Sequence, residues 1–298
     1  MQRALLSSPS PVPMTNLRLT LSYDGTDFAG WQVQPNQRTV QDEVEKGIEN
    51  LTGERVRVMC AGRTDAGVHA LSQVINFRTT SSIPPEKWRP ALQTRLPPDI
   101  VIRSAEGVPD DFHATYSAKS KRYRYLILNS RVDDPFLRRF AWRLGYRLNV
   151  SDMHRAAQVL VGTHDFRSFE SNWPNKASSV RSVYDVAVRR IRQHDLFLPK
   201  ALLTPEGAQE APDEPLVCVE IEANGFLYNM VRSIVGTLVN IGRGTWPVES
   251  MKRILESMHR LHAGDTSPAQ GLFMATANYD RDMGGEPGVP DEGDGTEE

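Results

Sequence analysis

Between Phe226 and Ile241 the chain reads Phe-Leu-Tyr-Asn-Met-Val-Arg-Ser-Ile-Val-Gly-Thr-Leu-Val-Asn-Ile, apolar around most of a helical circumference. A helix of that kind has no face to give to water and must be enclosed by other elements. The chain is thereby committed to a layered fold, with a sheet or further helices packed over this segment. One residue opposes the burial: Arg232, in its middle. A guanidinium stays charged at physiological pH and cannot be left unpaired away from water. Asp65, Glu220 and Glu222 are the acids considered for it, and a route to solvent is the other solution. Of the acids, Asp65 is the one with no evident solvent exit of its own.

Asp65 lies in Gly62-Arg63-Thr64-Asp65-Ala66-Gly67-Val68-His69. Runs with period-two alternation flank it, 55–60 upstream and 73–78 downstream, and both read as strands. Two glycines let the backbone bend sharply or approach a ligand. The segment would present a carboxylate at the mouth of a sheet, beside Arg63. A polar loop with a capping Asp fits the same residues. So does a metal-dependent hydrolase using Asp65 with His69, although a lone Asp/His pair is weak evidence for a metal and His69 reads better as a structural hydrogen-bonding residue.

Elsewhere, 17–23 alternates as a strand and runs into a turn-rich loop, 24–32, that carries Phe28 and Trp31. Such rings imply packing under the loop or contact with a base. Thr39 is placed to cap a helix with Val40, Val44, Ile48 and Leu51 inward. A helix from Pro84–Pro85 to about Leu96 and a strand at 99–105 follow. In the second half, 123–128, 180–191 and 216–221 read as strands, and Ser151 as the cap of a helix through Val161. The proline-rich stretch 197–215 reads as an extended hairpin loop. Strands and helices mixed in this order indicate an α+β fold, a sheet with helices on one face.

Composition narrows the function. The chain has 298 residues and two cysteines, Cys60 and Cys218, so neither a disulfide framework nor a cysteine metal site is indicated, which fits a reducing cytoplasm. There is no run of eighteen apolar residues to span a membrane, and no P-loop lysine, His-Glu-x-x-His or Cys-x-x-Cys motif. Residues 1–15 read as a disordered leader and 282–298 as an acidic disordered tail. Residues 281–298 hold seven acids against Arg281; removing that −6 from the chain's −2 leaves +4 on the first 280 residues. Residues 112–147 concentrate nine Lys and Arg against two Asp, interleaved with Tyr116, Tyr123, Tyr125, Phe136 and Trp142. Cations among aromatic rings suit a polyanion with stackable bases. The working division is an α+β domain at 16–111 carrying Asp65 and another at 112–281 carrying the basic segment.

Several motifs together resemble the tRNA pseudouridine synthase A family: Tyr23-Asp24-Gly25-Thr26 with Gly30-Trp31-Gln32, Thr39-Val40-Gln41, the Asp65 block, and Phe112-His113-Ala114. Lys121-Arg122-Tyr123-Arg124-Tyr125, His164-Asp165-Phe166, the stretch Asn224 to Arg232, and Pro268 with Gly271-Leu272 continue in the family's order. The resemblance implies two ferredoxin-like halves, with antiparallel and mixed sheets flanked by helices, around a basic central cleft. It implies isomerisation of uridine at positions 38, 39 and 40 of the tRNA anticodon stem-loop, on a flipped-out base. It casts Asp65 as the catalytic carboxylate and Arg232 as its partner, with Arg63 filling the space the base leaves. Tyr123 would stack on the base and is a candidate for proton abstraction; Lys121, Arg122 and Arg124 would bind RNA beside it. It also implies a homodimer and no cofactor or metal. One departure is Thr115, where the family usually has arginine; Lys119 or Lys121 would then supply the missing charge.

Overall fold

A computed structural model describes residues 14–171, 178–193 and 214–279. Most of the leader, the 197–215 hairpin loop and the acidic tail lie outside the described residues, although Thr15, counted above with the leader, already belongs to the first strand.

The first half runs β1 (Thr15–Tyr23), α1 (Val40–Thr52), β2 (Met59–Cys60), β3 (His69–Thr79), α2 (Pro85–Gln93) and β4 (Ile100–Val108). The second runs β5 (Ser120–Leu128), β6 (Trp142–Arg143), α3 (Val150–Ala157), β7 (Gly162–Asp165), β8 (Val180–Ile191), β9 (Leu216–Ala223), α4 (Met230–Gly242), α5 (Ser250–Ser257) and β10 (Leu272–Asn278). Local chemistry sets several boundaries. Thr39 Oγ1 accepts from the Asp42 amide at 3.4 Å to open α1, and Gly53, at φ 78°, closes it. The cap of α3 is Asn149, not Ser151: its Oδ1 accepts from the Asp152 amide at 3.1 Å, and the helix tightens to a 3-10 turn after Ala157. The strand expected at 55–60 shrinks to two residues because α1 side chains take its backbone groups. The Val58 amide donates to Glu45 Oε1 at 3.0 Å, and Gln41 Nε2 donates to the Val58 carbonyl at 3.2 Å. The apolar helix begins at Met230, later than its hydrophobic run suggests, because Asn229 adopts φ 61° and Tyr228 and Asn229 form a turn instead.

The strands form one sheet in the order β4-β1-β3-β10-β5-β9-β8-β7, with β2 on β3 and β6 on β5. Each half is a ferredoxin-like unit, of strand order 4-1-3-2 in the first and 10-5-9-8 in the second. The joint between them is the parallel contact of Phe273 and Met274 with His69 and Ala70. It exists because β2 is short: β2 takes the edge of β3 at Ile75–Asn76 and leaves the His69 end open for β10. All five helices contribute to the one large core, which also receives Tyr123, Tyr125 and Ile127 of β5. The alternate β5 residues Leu126 and Leu128 face a smaller cluster containing Leu137, Ala141, Cys218 and Phe273. No described helix is long and apolar enough to cross a membrane.

Candidate active site

The loop from Ala61 to Val68 joins β2 to β3, beside the seam between the halves. The 24–32 loop and the sheet hold it. Its Thr64 carbonyl accepts from the Trp31 amide at 2.9 Å, the Thr64 hydroxyl meets the Tyr23 hydroxyl at 2.8 Å, and Gln73 Nε2 donates to the Gly62 carbonyl at 2.7 Å. Gly30 is obligatory here: it sits at φ 100°, and a Cβ on it would lie 2.9 Å from the Thr64 carbonyl oxygen. Phe28 and Trp31 are buried in the core, so packing accounts for the aromatic content of that loop.

Asp65 is held half-buried at the tip, and Arg232 of α4 reaches it from the second half, Nη1 to Oδ2 3.7 Å. The guanidinium is fixed by two shorter contacts: Nε donates to the Ser267 carbonyl at 2.7 Å and Nη1 to Asn229 Oδ1 at 2.8 Å. Arg232 is thus anchored by backbone and amide, and Asp65 is its ionic neighbour at the rim. Glu220 and Glu222, the other acids considered for it, bind different arginines. Burial pushes the Asp65 carboxyl above its ordinary value, and the opposing pull of Arg232 only moderates that rise. Arg232 favours the charged form as the sequence suggests, but desolvation outweighs it.

Tyr123 enters the same space from β5. Its ring is buried edge-on against Phe226 (4.8 Å between centroids), and its hydroxyl lies beside Gly62. Burial, reinforced by Tyr23 and Asp65 nearby, drives the phenol far above its ordinary value, so it remains protonated at neutral pH. In that state it is suited to stacking and to donating a hydrogen bond.

These groups line a pocket of about 910 Å³, along with Arg63, His113, Tyr116, Lys121 and Tyr228. Its charged lining is Arg57, Arg63, Lys121 and Arg232 against Asp65 and Glu170, a positive balance. Arg63 is exposed one turn of loop from Asp65. Arg122 and Arg124 are not in the pocket. Alternation along β5 sends them to the opposite sheet face from Tyr123, where they meet the glutamates across the ladder on β9. Arg124 Nη2 donates to Glu220 Oε1 at 2.8 Å, Arg189 Nη2 to Glu220 Oε2 at 2.8 Å, and Arg122 Nη2 to Glu222 Oε2 at 2.5 Å. The Lys-Arg-Tyr-Arg-Tyr run therefore splits: Lys121 and Tyr123 line the pocket, and the arginines brace the sheet behind it.

His69 is almost fully buried. Its Nδ1 lies 3.0 Å from the Gly25 amide and 3.2 Å from Asp24 Oδ1, and its Nε2 lies 2.9 Å from the Arg139 carbonyl. Burial lowers its pKa and keeps it neutral, and its ring stacks 4.7 Å from Phe273. Both nitrogens are engaged by the protein, so His69 serves the seam between the halves and does not share a site with Asp65. Among the described residues no group of three His, Cys, Asp or Glu side chains could hold a metal ion. Thr115 also lines the pocket, and its hydroxyl donates to the Cys60 carbonyl at 2.6 Å. Of the two lysines considered in its place, Lys121 lines the pocket and Lys119 does not. Sequence reasoning passed over His113 and Tyr228 as site residues; the signal for each was its place beside a motif, Phe112-His113-Ala114 and Asn224 to Arg232.

A sequence model of the family described as tRNA pseudouridine synthase matches residues 20–117 and 156–280. The protein of Thermoanaerobacter sp. (strain X514) named tRNA pseudouridine synthase A is 44% identical over 266 residues, covering 89% of this chain and all of that one. Proteins of the same name from Brevibacillus brevis and Bacillus subtilis are 46% and 42% identical over the same share of this chain, covering 100% and 99% of their own lengths.

Proposed function

The chain belongs to the tRNA pseudouridine synthase family, and from that premise we propose that Asp65 is the carboxylate on which its isomerisation of tRNA uridine turns. The reaction breaks the bond from N1 to the ribose, joins C5 to the same carbon, and exchanges the C5 proton for one on N1. Every atom of uridine is retained, so the balance calls for no redox cofactor. The observation that carries the assignment is the Asp65–Arg232 pair, 3.7 Å apart, in a pocket that also holds Tyr123.

The target base has to leave the helix stack, at a cost of roughly a few kcal/mol. Stacking against Tyr123 offsets about 1–3 kcal/mol of this, and Arg63, exposed beside Asp65, is placed to occupy the vacated space. Lys121 and Arg57, both lining the pocket, add positive charge that favours a phosphate backbone. We assign the substrate as uridines 38, 39 and 40 of the anticodon stem-loop, the enzyme as a homodimer and its compartment as the cytoplasm; these follow from family resemblance. Arg122 and Arg124, committed to Glu222 and Glu220, act as supports of β5 in this reading and not as RNA contacts.

Asp65→Asn keeps the shape of the side chain and removes its charge. It should reduce pseudouridine formation in tRNA by at least about a hundredfold while tRNA binding persists. Pseudouridine mapping by reverse transcription after carbodiimide treatment, beside a filter-binding assay, checks both halves of the expectation. Retained catalysis would remove Asp65 from the catalytic role and leave it a residue that merely shapes a turn.

A further inference from the structure

One wall of the pocket is a short turn whose construction exceeds what a connection between β4 and β5 needs. Ala114 at its centre is fully buried; its amide donates to Asn76 Oδ1 at 2.9 Å and its carbonyl accepts from the Tyr279 hydroxyl at 2.7 Å. The Phe112 carbonyl accepts from Asn16 Nδ2 at 3.0 Å. The Ser117 amide donates to the His113 carbonyl at 2.9 Å, and the Ser117 hydroxyl accepts from the His113 amide at 3.0 Å. Thr115 ties the turn to Cys60, at the root of the Asp65 loop. What this frame presents is a pair of rings, His113 and Tyr116, 4.3 Å apart and tilted by 33°, both lining the pocket.

Their state is defined. His113 Nδ1 accepts from the Thr115 amide at 3.1 Å and the Tyr116 amide at 3.4 Å, so the ring proton resides on Nε2. Burial holds the imidazole neutral by lowering its pKa. Tyr116, by contrast, leaves 54% of its surface exposed, unusual for an aromatic on so rigid a turn. A ring fixed in place and left open has already lost the freedom that binding would otherwise cost. Tyr123 and Phe226 occupy the space beside Asp65, so the two ring pairs offer separate seats within one pocket.

We infer that His113 and Tyr116 form a second nucleotide seat, in which Tyr116 stacks a base neighbouring the flipped uridine and His113 Nε2–H donates to an acceptor oxygen of that same nucleotide. The inference rests on the reading of the pocket as a uridine-isomerising site and adds a second point of grip. Holding the neighbouring nucleotide keeps the gap open while the uridine is out of the stack. It also makes recognition depend on a ring face, which every base possesses, so one seat tolerates different neighbours.

The test uses the full chain and synthetic anticodon stem-loop RNAs, intact or with an abasic residue at each position flanking the target. Dissociation constants and single-turnover rates of pseudouridine formation are measured on the same samples, and thermal melts confirm folding. Tyr116→Ala should weaken binding of intact RNA about tenfold, and Tyr116→Phe should recover most of that loss because the ring is restored. Against the RNA abasic at the seated position, wild type and Tyr116→Ala should bind alike. His113→Asn keeps an acceptor for the two turn amides but withdraws the Nε2 donor, and should weaken binding severalfold without lowering the melting temperature. Equal losses for Tyr116→Ala on every RNA, or a Tyr116→Phe variant as weak as Tyr116→Ala, would overturn the inference. If the wild-type protein forms no pseudouridine in any RNA, the underlying reading of the site fails; if it forms pseudouridine and Tyr116→Ala binds normally, only the second seat fails.

Discussion

Asp65 is pulled in two directions, and the outcome is a chemical property that can be measured. Partial burial removes water from its carboxylate and raises its pKa; Arg232, 3.7 Å away, lowers it by a smaller amount. If the carboxylate form does the work, activity is lost as pH falls through the raised value, so the acidic limb of the rate profile lies above the ordinary aspartate range of about 4. Arg232→Gln removes the lowering contribution and should move that limb to still higher pH, besides reducing the rate. Single-turnover rates across the acid range check this, and a limb that stays put would detach Asp65 from the profile. The pairing of these two residues was a legible possibility, because an arginine on an apolar helix must find either a partner or a route to water. The sign of the net titration was not legible, since it depends on how much water the folded pocket leaves around one carboxylate.

At the scale of elements, α4 and the 263–268 segment are packed backbone to backbone. A Cβ on Gly236 would lie 1.8 Å from the Asp265 carbonyl oxygen, and one on Gly264 would lie 2.6 Å from the backbone of Gly236. That close approach brings the Ser267 carbonyl to Arg232, which makes the glycine part of the arginine's anchorage. Gly236→Ala would force the two backbones apart, destabilising the protein by about 1–3 kcal/mol and loosening Arg232. Chemical denaturation measures the first effect, and the pH limb of the same variant reports the second. The helix itself and its burial were readable from hydrophobicity; the partner segment was not, because no local pattern names what a glycine will touch. The β5 run shows the converse. Its alternation, visible in the letters, separates Tyr123 from Arg122 and Arg124, whereas charge density alone groups all of them on one surface. Period two decides the face, and a buried glutamate on the neighbouring strand decides the partner.

Across the whole molecule, the two ferredoxin-like halves meet in a single sheet through β3 and β10, with His69 buried at the seam among Phe140, Phe273 and the Gly25 turn. Halves joined by a continuous sheet and a shared core should unfold together. Far-ultraviolet dichroism and tryptophan fluorescence, the latter arising from Trp31 and Trp88 in the first half of the sequence and Trp142, Trp173 and Trp246 in the second, should give coincident transitions in urea; separated midpoints would count against it. The sequence by itself determined the α+β class, most of the longer strands and helices, the enclosed helix and the block containing Asp65, because these rest on periodicity and short-range chemistry; β6, β7, α5 and the joining strand β10 were not among the elements it marked. Only the tertiary structure decided that β2 would be short enough to admit β10, that Asp65 and Arg232 would face one pocket, and that the turn at Ala114 would hold two rings open. Each of those depends on which distant backbone groups satisfy one another, and hydrogen bonding between remote segments leaves no periodic mark in the chain.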